Sequence, residues 1–406
     1  MILRDKVLDQ LRAKQGKFRD FDRSFLDESK IYREKLAELA RLSSLELRER
    51  LSGNPTPGAW PTDEFDQSPN LHLSFPHNWN NHAEARAWAC DAMLDHTTFA
   101  VDGSQIPPNP VFSIPVAAVQ VAWFENHHTR EGSYIKDAEV EILAPDDLTV
   151  EINGEKVLSE QKINLRRFEL ETGKLCELMR NSAADRKKSE RLPVALFDSS
   201  LVISFADRLQ EPMRQGHINA MLDLLQCSRE TGIPLVGYVD SSDARDLTRM
   251  IGHCFGLAEA QQIHDAELVN HADWQKDWGW RTPLFVCKRG SADVNKPSVL
   301  ELFEAQHQSI AFAYLKTSST APPARLEIPM WVYEQGLLDK VVDIVRAEVV
   351  VGNGYPYAIE TADEAAVITT RDRLAFEAIF QRFAAEQAIP LRISSKAISK
   401  SRRRYN

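Results

Sequence analysis

Two short motifs set a carboxylate directly after an apolar run and before small residues: Val101-Asp102-Gly103-Ser104 and Phe197-Asp198-Ser199-Ser200. Small residues let another group come close without a side-chain clash. Two carboxylates on neighbouring strand ends repel each other and lose hydration, which is costly unless a cation sits between them. Hard oxygen donors suit Mg2+ or Mn2+. The competing reading is local, with Asp-Gly as a turn signal and Asp-Ser-Ser as a helix N-cap. A third carboxylate is offered by Leu165-Arg-Arg-Phe-Glu169-Leu-Glu171-Thr172. At about 100° per residue, Glu169 and Glu171 flank the apolar stripe of that helix on opposite sides. One looks toward the sheet and the other toward solvent, and the pattern leaves open which. A fourth carboxylate is Asp363, eight residues beyond Tyr355.

Other chemistries lack their residues. No phosphate-binding G-x-x-x-x-G-K-[ST] loop, no G-x-S-x-G elbow and no H-E-x-x-H zinc helix is present. The five cysteines are scattered, with no C-x-x-C pair, and are expected to be reduced thiols rather than a disulfide framework or zinc site. His127-His128, His264 and His271 read as surface or hydrogen-bonded residues. Trp274, Trp278 and Trp280 read as packing, with a base-stacking platform as the sharper alternative.

These side chains need elements to place them. Phe99 to Asp102 reads as a short strand ending in the aspartate, Val116 to Phe124 as a second strand, and Ser133 to Leu143 as a third. Ile163 to Met179 has helical spacing, and Pro193 to Phe197 is a buried-strand run ending at Asp198. Asp207 to Thr231 is helical, Ile233 to Val239 is another buried strand, and a helix follows from about Ser242. Glu360 to Gln387 reads as one long helix. Three meandering strands followed by right-handed βαβ units make an α/β fold, a mixed sheet with helices on its faces. In open sheets of this kind ligands bind beyond the carboxyl ends of strands.

Around that core, residues 1–51 read as an N-terminal helical extension and 52–82 as an irregular Pro-rich connector. The main domain is expected over 83–390, with an inserted α/β segment at about 252–323, and a basic tail over 391–406. Lys396, Lys400 and Arg402 to Arg404 in that tail are candidates to track a nucleic-acid backbone. The chain has 406 residues, 43% hydrophobic and 27% charged, an ordinary globular composition that excludes a collagen, a coiled-coil rod and wholesale disorder. The formal net charge of −10 argues against nonspecific coating of nucleic acid. The longest largely apolar run, Ile114 to Phe124, is too short to span a bilayer, and the N-terminus shows no signal-peptide pattern. A soluble, cytoplasmic protein without membrane association is expected.

Six segments in order carry a resemblance: Phe99-Ala-Val-Asp-Gly-Ser, Ala195-Leu-Phe-Asp-Ser-Ser-Leu, Gly237-Tyr-Val-Asp-Ser-Ser, Trp278-Gly-Trp-Arg-Thr-Pro-Leu-Phe, Arg325-Leu-Glu-Ile-Pro and Gly354-Tyr-Pro. Together they resemble the NurA nucleases. The resemblance implies an RNase H-like core, metal-dependent DNA cleavage, a homodimer, and work with a HerA-type hexameric ATPase in processing DNA ends for double-strand break repair. It implies that Asp102 and Asp198 are metal ligands, with Glu171 or Glu169 as a third, and that Tyr355 is the tyrosine of the family's Tyr-Pro motif. Ser199 replaces a glycine common in relatives, Asp240 stands where some carry lysine, and Asp363 stands where archaeal members have histidine.

The mechanism expected on this footing is two-metal hydrolysis. Asp102 bridges two Mn2+ or Mg2+ ions about 4 Å apart, Asp198 and Glu171 each complete one shell, and Asp363 closes the site. Ser104 and Ser200 are expected beside the substrate. Arg325 is a candidate to hold a phosphate, against a structural Arg325–Glu327 pair. Two rivals stay open: a non-catalytic docking partner of a DNA motor, and an RNase H-like enzyme acting on RNA.

Overall fold

The computed structural model describes residues 3–152, 154–185, 192–270, 277–291 and 295–392. Its strands are β1 (Gly58–Pro61), β2 (Thr98–Ile106), β3 (Ala117–Asn126), β4 (Tyr134–Leu143), β5 (Thr149–Ile152), β6 (Glu155–Leu158), β7 (Val194–Phe197), β8 (Leu235–Val239), β9 (Phe285–Lys288), β10 (Ile310–Leu315) and β11 (Ala324–Pro329). Its first α-helices are α1 (Arg4–Ala13), α2 (Gln15–Leu39), α3 (Ser44–Leu51), α4 (His82–Met93), α5 (Glu160–Asp185), α6 (Met213–Thr231) and α7 (Asp246–Phe255). They are followed by α8 (Asp265–Asn270), α9 (Val299–Ala305), α10 (Met330–Glu334), α11 (Leu338–Val351), α12 (Tyr357–Ala366) and α13 (Thr370–Glu386). The chain forms two compact units, Met1–Asn78 with Tyr238–Met330 and Trp79–Gly237 with Trp331–Asn406.

In the second unit the strands run in the order β4-β3-β2-β7-β8. β3 pairs antiparallel with both β2 and β4, whereas β7 is parallel to β2 and to residues 235–237 of β8. This meander followed by parallel crossovers is the RNase H-like mixed sheet. Helices cover both faces. Successive side chains of a strand point to opposite sides, and on β3 Trp123 meets Lys174 of α5 while Phe124 meets Tyr357 of α12. The interior is apolar: Phe99, Val194, Ala195 and Leu196 are fully buried.

Several boundaries differ from the sequence reading. β2 does not end at Asp102 but continues to Ile106, because β3 pairs with it over the whole stretch from Thr98↔Asn126 to Ile106↔Ala118. The long helix expected over 360–387 is two helices. Thr369 caps α13, its side chain accepting from the Asp372 amide while the Asp372 carboxylate accepts from the Thr369 amide, a reciprocal pair that starts a new helix. α6 begins at Met213 rather than near Asp207, and the preceding residues Ser204–Arg208 form a separate 3-10 turn.

In the first unit β1, β9, β10 and β11 form an antiparallel sheet in that order. β1 lies within the Pro-rich connector and pairs with a strand more than 200 residues later, Gly58↔Lys288 to Pro61↔Phe285. Long-range pairing of this kind leaves no local sequence signal. Ser43 and Glu46 form a capping box that starts α3, which supplies the break seen near Ser43-Ser44. Trp280 is fully buried, and Trp278 donates its indole N–H to the Thr317 carbonyl at 2.8 Å, so both serve packing. His271, Trp274 and the basic residues of the tail, Lys396, Lys400 and Arg402 to Arg404, lie outside the described residues. Among the described residues no helix is long and apolar enough to cross a membrane.

Candidate active site

Register brings the first two carboxylates together. β2 and β7 are parallel with Val101 opposite Phe197, so Asp102 and Asp198 are the next residues along two adjacent strands. Asp102 is still within β2, half-buried, while Asp198 stands exposed just past the end of β7. The loop that follows lies close against β8. A Cβ on Gly237 would come within 3.0 Å of the Ser199 carbonyl and of Leu201.

Gly103 explains the third. A Cβ there would fall within 3.0 Å of the Glu171 carboxylate and of Arg167 on α5. The glycine makes no turn, since β2 runs through it. It leaves the space into which Glu171 reaches. Glu169, two residues earlier, points elsewhere and is held by Arg166 at 3.0 Å, which also grips Glu141 of β4 at 2.7 Å. The structure thus brings Glu171, and not Glu169, to Asp102.

Asp102, Glu171 and Asp198 line one cleft of about 350 Å3 together with Asn164, Arg167 and His217. Burial pushes Asp102 up to about 6, and the charges of Asp363 and Asp198 add to the rise, against the Gly103 amide and Arg167. Burial pushes Glu171 up to about 8, with Arg167 opposing and Asp102 and Asp198 adding. Arg167 Nε stands 3.4 Å from Glu171 Oε1, one helical turn away. Asp363 lies exposed on α12 and reaches this group through its charge on Asp102. The Tyr355 hydroxyl donates to Asp198 Oδ1.

These carboxylates are all hard oxygen donors, and a divalent cation would relieve the raised proton affinity of Asp102 and Glu171. In chemistry the set fits such an ion. Their spacing is open: among the described residues no three of His, Cys, Asp and Glu stand close enough to hold a metal as they are. Glu171 is turned to Arg167, so closing on an ion requires that side chain to exchange partners, whereas Tyr355 holds Asp198 by Oδ1 in the place from which it would ligate.

The remaining expected residues fall as follows. Ser104 is half-buried on β2, two residues past Asp102. Ser200 is half-buried, and its hydroxyl accepts from the Val202 amide at 3.2 Å, bracing the loop after Asp198. Arg325 belongs to the other unit and is 1% exposed. It pairs with Asp246 at 2.8 Å and Glu327 at 2.7 Å and lies over the Phe312 ring. We assign it no substrate role. Sequence reasoning missed Asn164, Arg167, Phe205 and His217 of the cleft. Only Arg167 carried a signal, its i,i+4 spacing to Glu171.

A model of the NurA domain matches residues 96–368, more than half of the 406. The chain belongs to the NurA domain family. The matched stretch begins just before β2 and ends just after α12, so the NurA domain contains every carboxylate of the cleft. No curated protein matches the chain. Among solved structures it is similar to a crystal structure of NurA, at 10% identity and a TM-score of 0.41, over 71% of this chain and 88% of that one. A crystal structure of NurA with manganese is 10% identical, with a TM-score of 0.40, over 89% of this chain and 98% of that one. A third, NurA bound to dAMP and manganese, is 10% identical with a TM-score of 0.34, over 68% and 85%.

Proposed function

We propose that this NurA-domain protein is a divalent-metal-dependent nuclease that hydrolyses phosphodiester bonds of DNA. One observation carries the reading: Asp102, Glu171 and Asp198, distant in sequence, share a single cleft in which burial and mutual repulsion raise the proton affinity of the first two. Such unrelieved carboxylates mark functional sites more often than structural ones. Membership in the family supports the same activity.

Asp102, Glu171, Asp198 and Asp363 would hold Mn2+ or Mg2+, two ions in the fullest form of the reading. Bound there, the metal would activate water and stabilise the charge of the leaving oxygen. The protein's own residues have separate tasks. Tyr355 fixes the rotamer of Asp198. Arg167 stands against Glu171 while no ion is present and is left to meet a phosphate when Glu171 turns away. The exposed rim at Asp198 and Ser199 leaves the cleft open to a strand.

The wider setting follows the family: DNA-end processing in double-strand break repair, a HerA-type hexameric ATPase as partner, a homodimer, and a cytoplasmic location. The test is degradation of DNA with Mn2+ or Mg2+ by the wild-type protein and by Asp102→Asn. The wild type should cut and the variant should not, with its fold intact by circular dichroism. Undiminished cutting by the variant would end the proposal. No cutting by the wild type with any divalent ion selects the docking-partner reading, and matched RNA strands degraded in preference to DNA select the ribonuclease.

A further inference from the structure

The short loop after β7 brings an aromatic side chain back to the carboxylates. Phe205, on the 3-10 turn Ser204–Arg208 and seven residues past Asp198, lines the same cleft as Asp102, Glu171 and Asp198. It is 47% exposed, whereas its aromatic neighbour Phe168 is 8% exposed. The Phe205 ring meets Phe168 at 6.3 Å and His217 at 5.2 Å, both close to perpendicular, and Phe168 in turn meets Phe197 at 6.2 Å. A buried aromatic row therefore anchors an open ring.

The loop that presents the ring is pinned. Leu201, Val202 and Ile203 are all buried, and Ile203 sits at φ 38 and ψ 43, a left-handed conformation that a β-branched residue adopts only when packing enforces it. An exposed apolar ring at a fixed place beside a polar, carboxylate-lined cleft is poorly explained by packing alone.

We infer that Phe205 is a stacking platform for an unpaired nucleobase of the strand entering the cleft. The inference rests on the nuclease reading for what the cleft does, and adds which side chain meets a base of the entering strand. A base paired in a duplex keeps its faces stacked on its neighbours, whereas an unpaired base offers one to the ring. Stacking of this kind tolerates any sequence, because every base has a π-face.

The test uses the full chain with chelator present, so that binding is read without cleavage. The probe is a short single-stranded oligodeoxynucleotide carrying 2-aminopurine, whose fluorescence falls when the base stacks. Wild-type protein should quench it, Phe205→Ala should bind about tenfold more weakly and lose the quenching, and Phe205→Trp should keep both. Phe205→Leu, which retains apolar bulk without a π-face, should behave as Phe205→Ala. Quenching by Phe205→Ala equal to wild type, Phe205→Leu matching Phe205→Trp, or no quenching by the wild type each overturns the inference. A wild type that quenches in chelator but never cuts when metal is supplied defeats the nuclease reading alone.

Discussion

The Tyr355 hydroxyl donates a hydrogen bond to Asp198 Oδ1 across 157 residues of sequence. It ties the turn before α12 to the end of β7 and fixes one proposed ligand from behind. Tyr355→Phe removes the donor and keeps the ring. We expect metal-dependent DNA cleavage to fall about 10–100-fold, the usual cost of losing a partner behind a metal ligand. Thermal unfolding should move little, and metal titration of the two proteins checks whether the loss is one of metal affinity.

Glu169 and Glu171 give opposite expectations. Glu171 lies in the cleft and Glu169 in the Arg166–Glu141 ion pair. Glu171→Gln should lower cleavage by at least about 100-fold, as expected when a charged group at the reacting centre is neutralised. Glu169→Gln should stay near wild type and cost at most about 1 kcal/mol of stability, since its pair is partly exposed. Side-by-side rates on one DNA substrate decide it.

The raised proton affinity of Glu171 has a signed consequence for the metal-free protein. A carboxyl whose folded value of about 8 lies above its ordinary 4.5 holds its proton more tightly when folded. Its contribution is fully present below the unfolded value and is lost as pH rises through the folded one. Glu171→Gln removes that loss. The variant should therefore unfold at a higher temperature than wild type at about pH 9, and the difference should vanish near pH 4. A divalent ion has to displace the same protons, so the thermal shift it produces in the wild type should grow as pH rises from about 6 to about 8.

Arg325 separates a structural role from a substrate one. It is buried between Asp246 and Glu327, and its removal takes a guanidinium from each, with Arg289 remaining on Asp246. Arg325→Met should cost about 3–5 kcal/mol in chemical denaturation, because a buried ion-pair network loses the cation its two acids share. The half-saturating DNA concentration of the protein that remains folded should be unchanged.

Much of the site was legible locally. Apolar runs ending in Asp102 and Asp198, the helix carrying Glu171, and the order of strands and helices all follow from residue periodicity, which is a property of neighbours in sequence. The Thr369–Asp372 capping box was also present in the sequence and marks the break between α12 and α13. What tertiary structure alone decided is which groups face one another. The parallel register of Val101 with Phe197 sets Asp102 beside Asp198, and the missing side chain of Gly103 admits Glu171 rather than Glu169. Burial of Arg325 and the return of Phe205 to the cleft depend likewise on packing between distant segments, which no local pattern encodes.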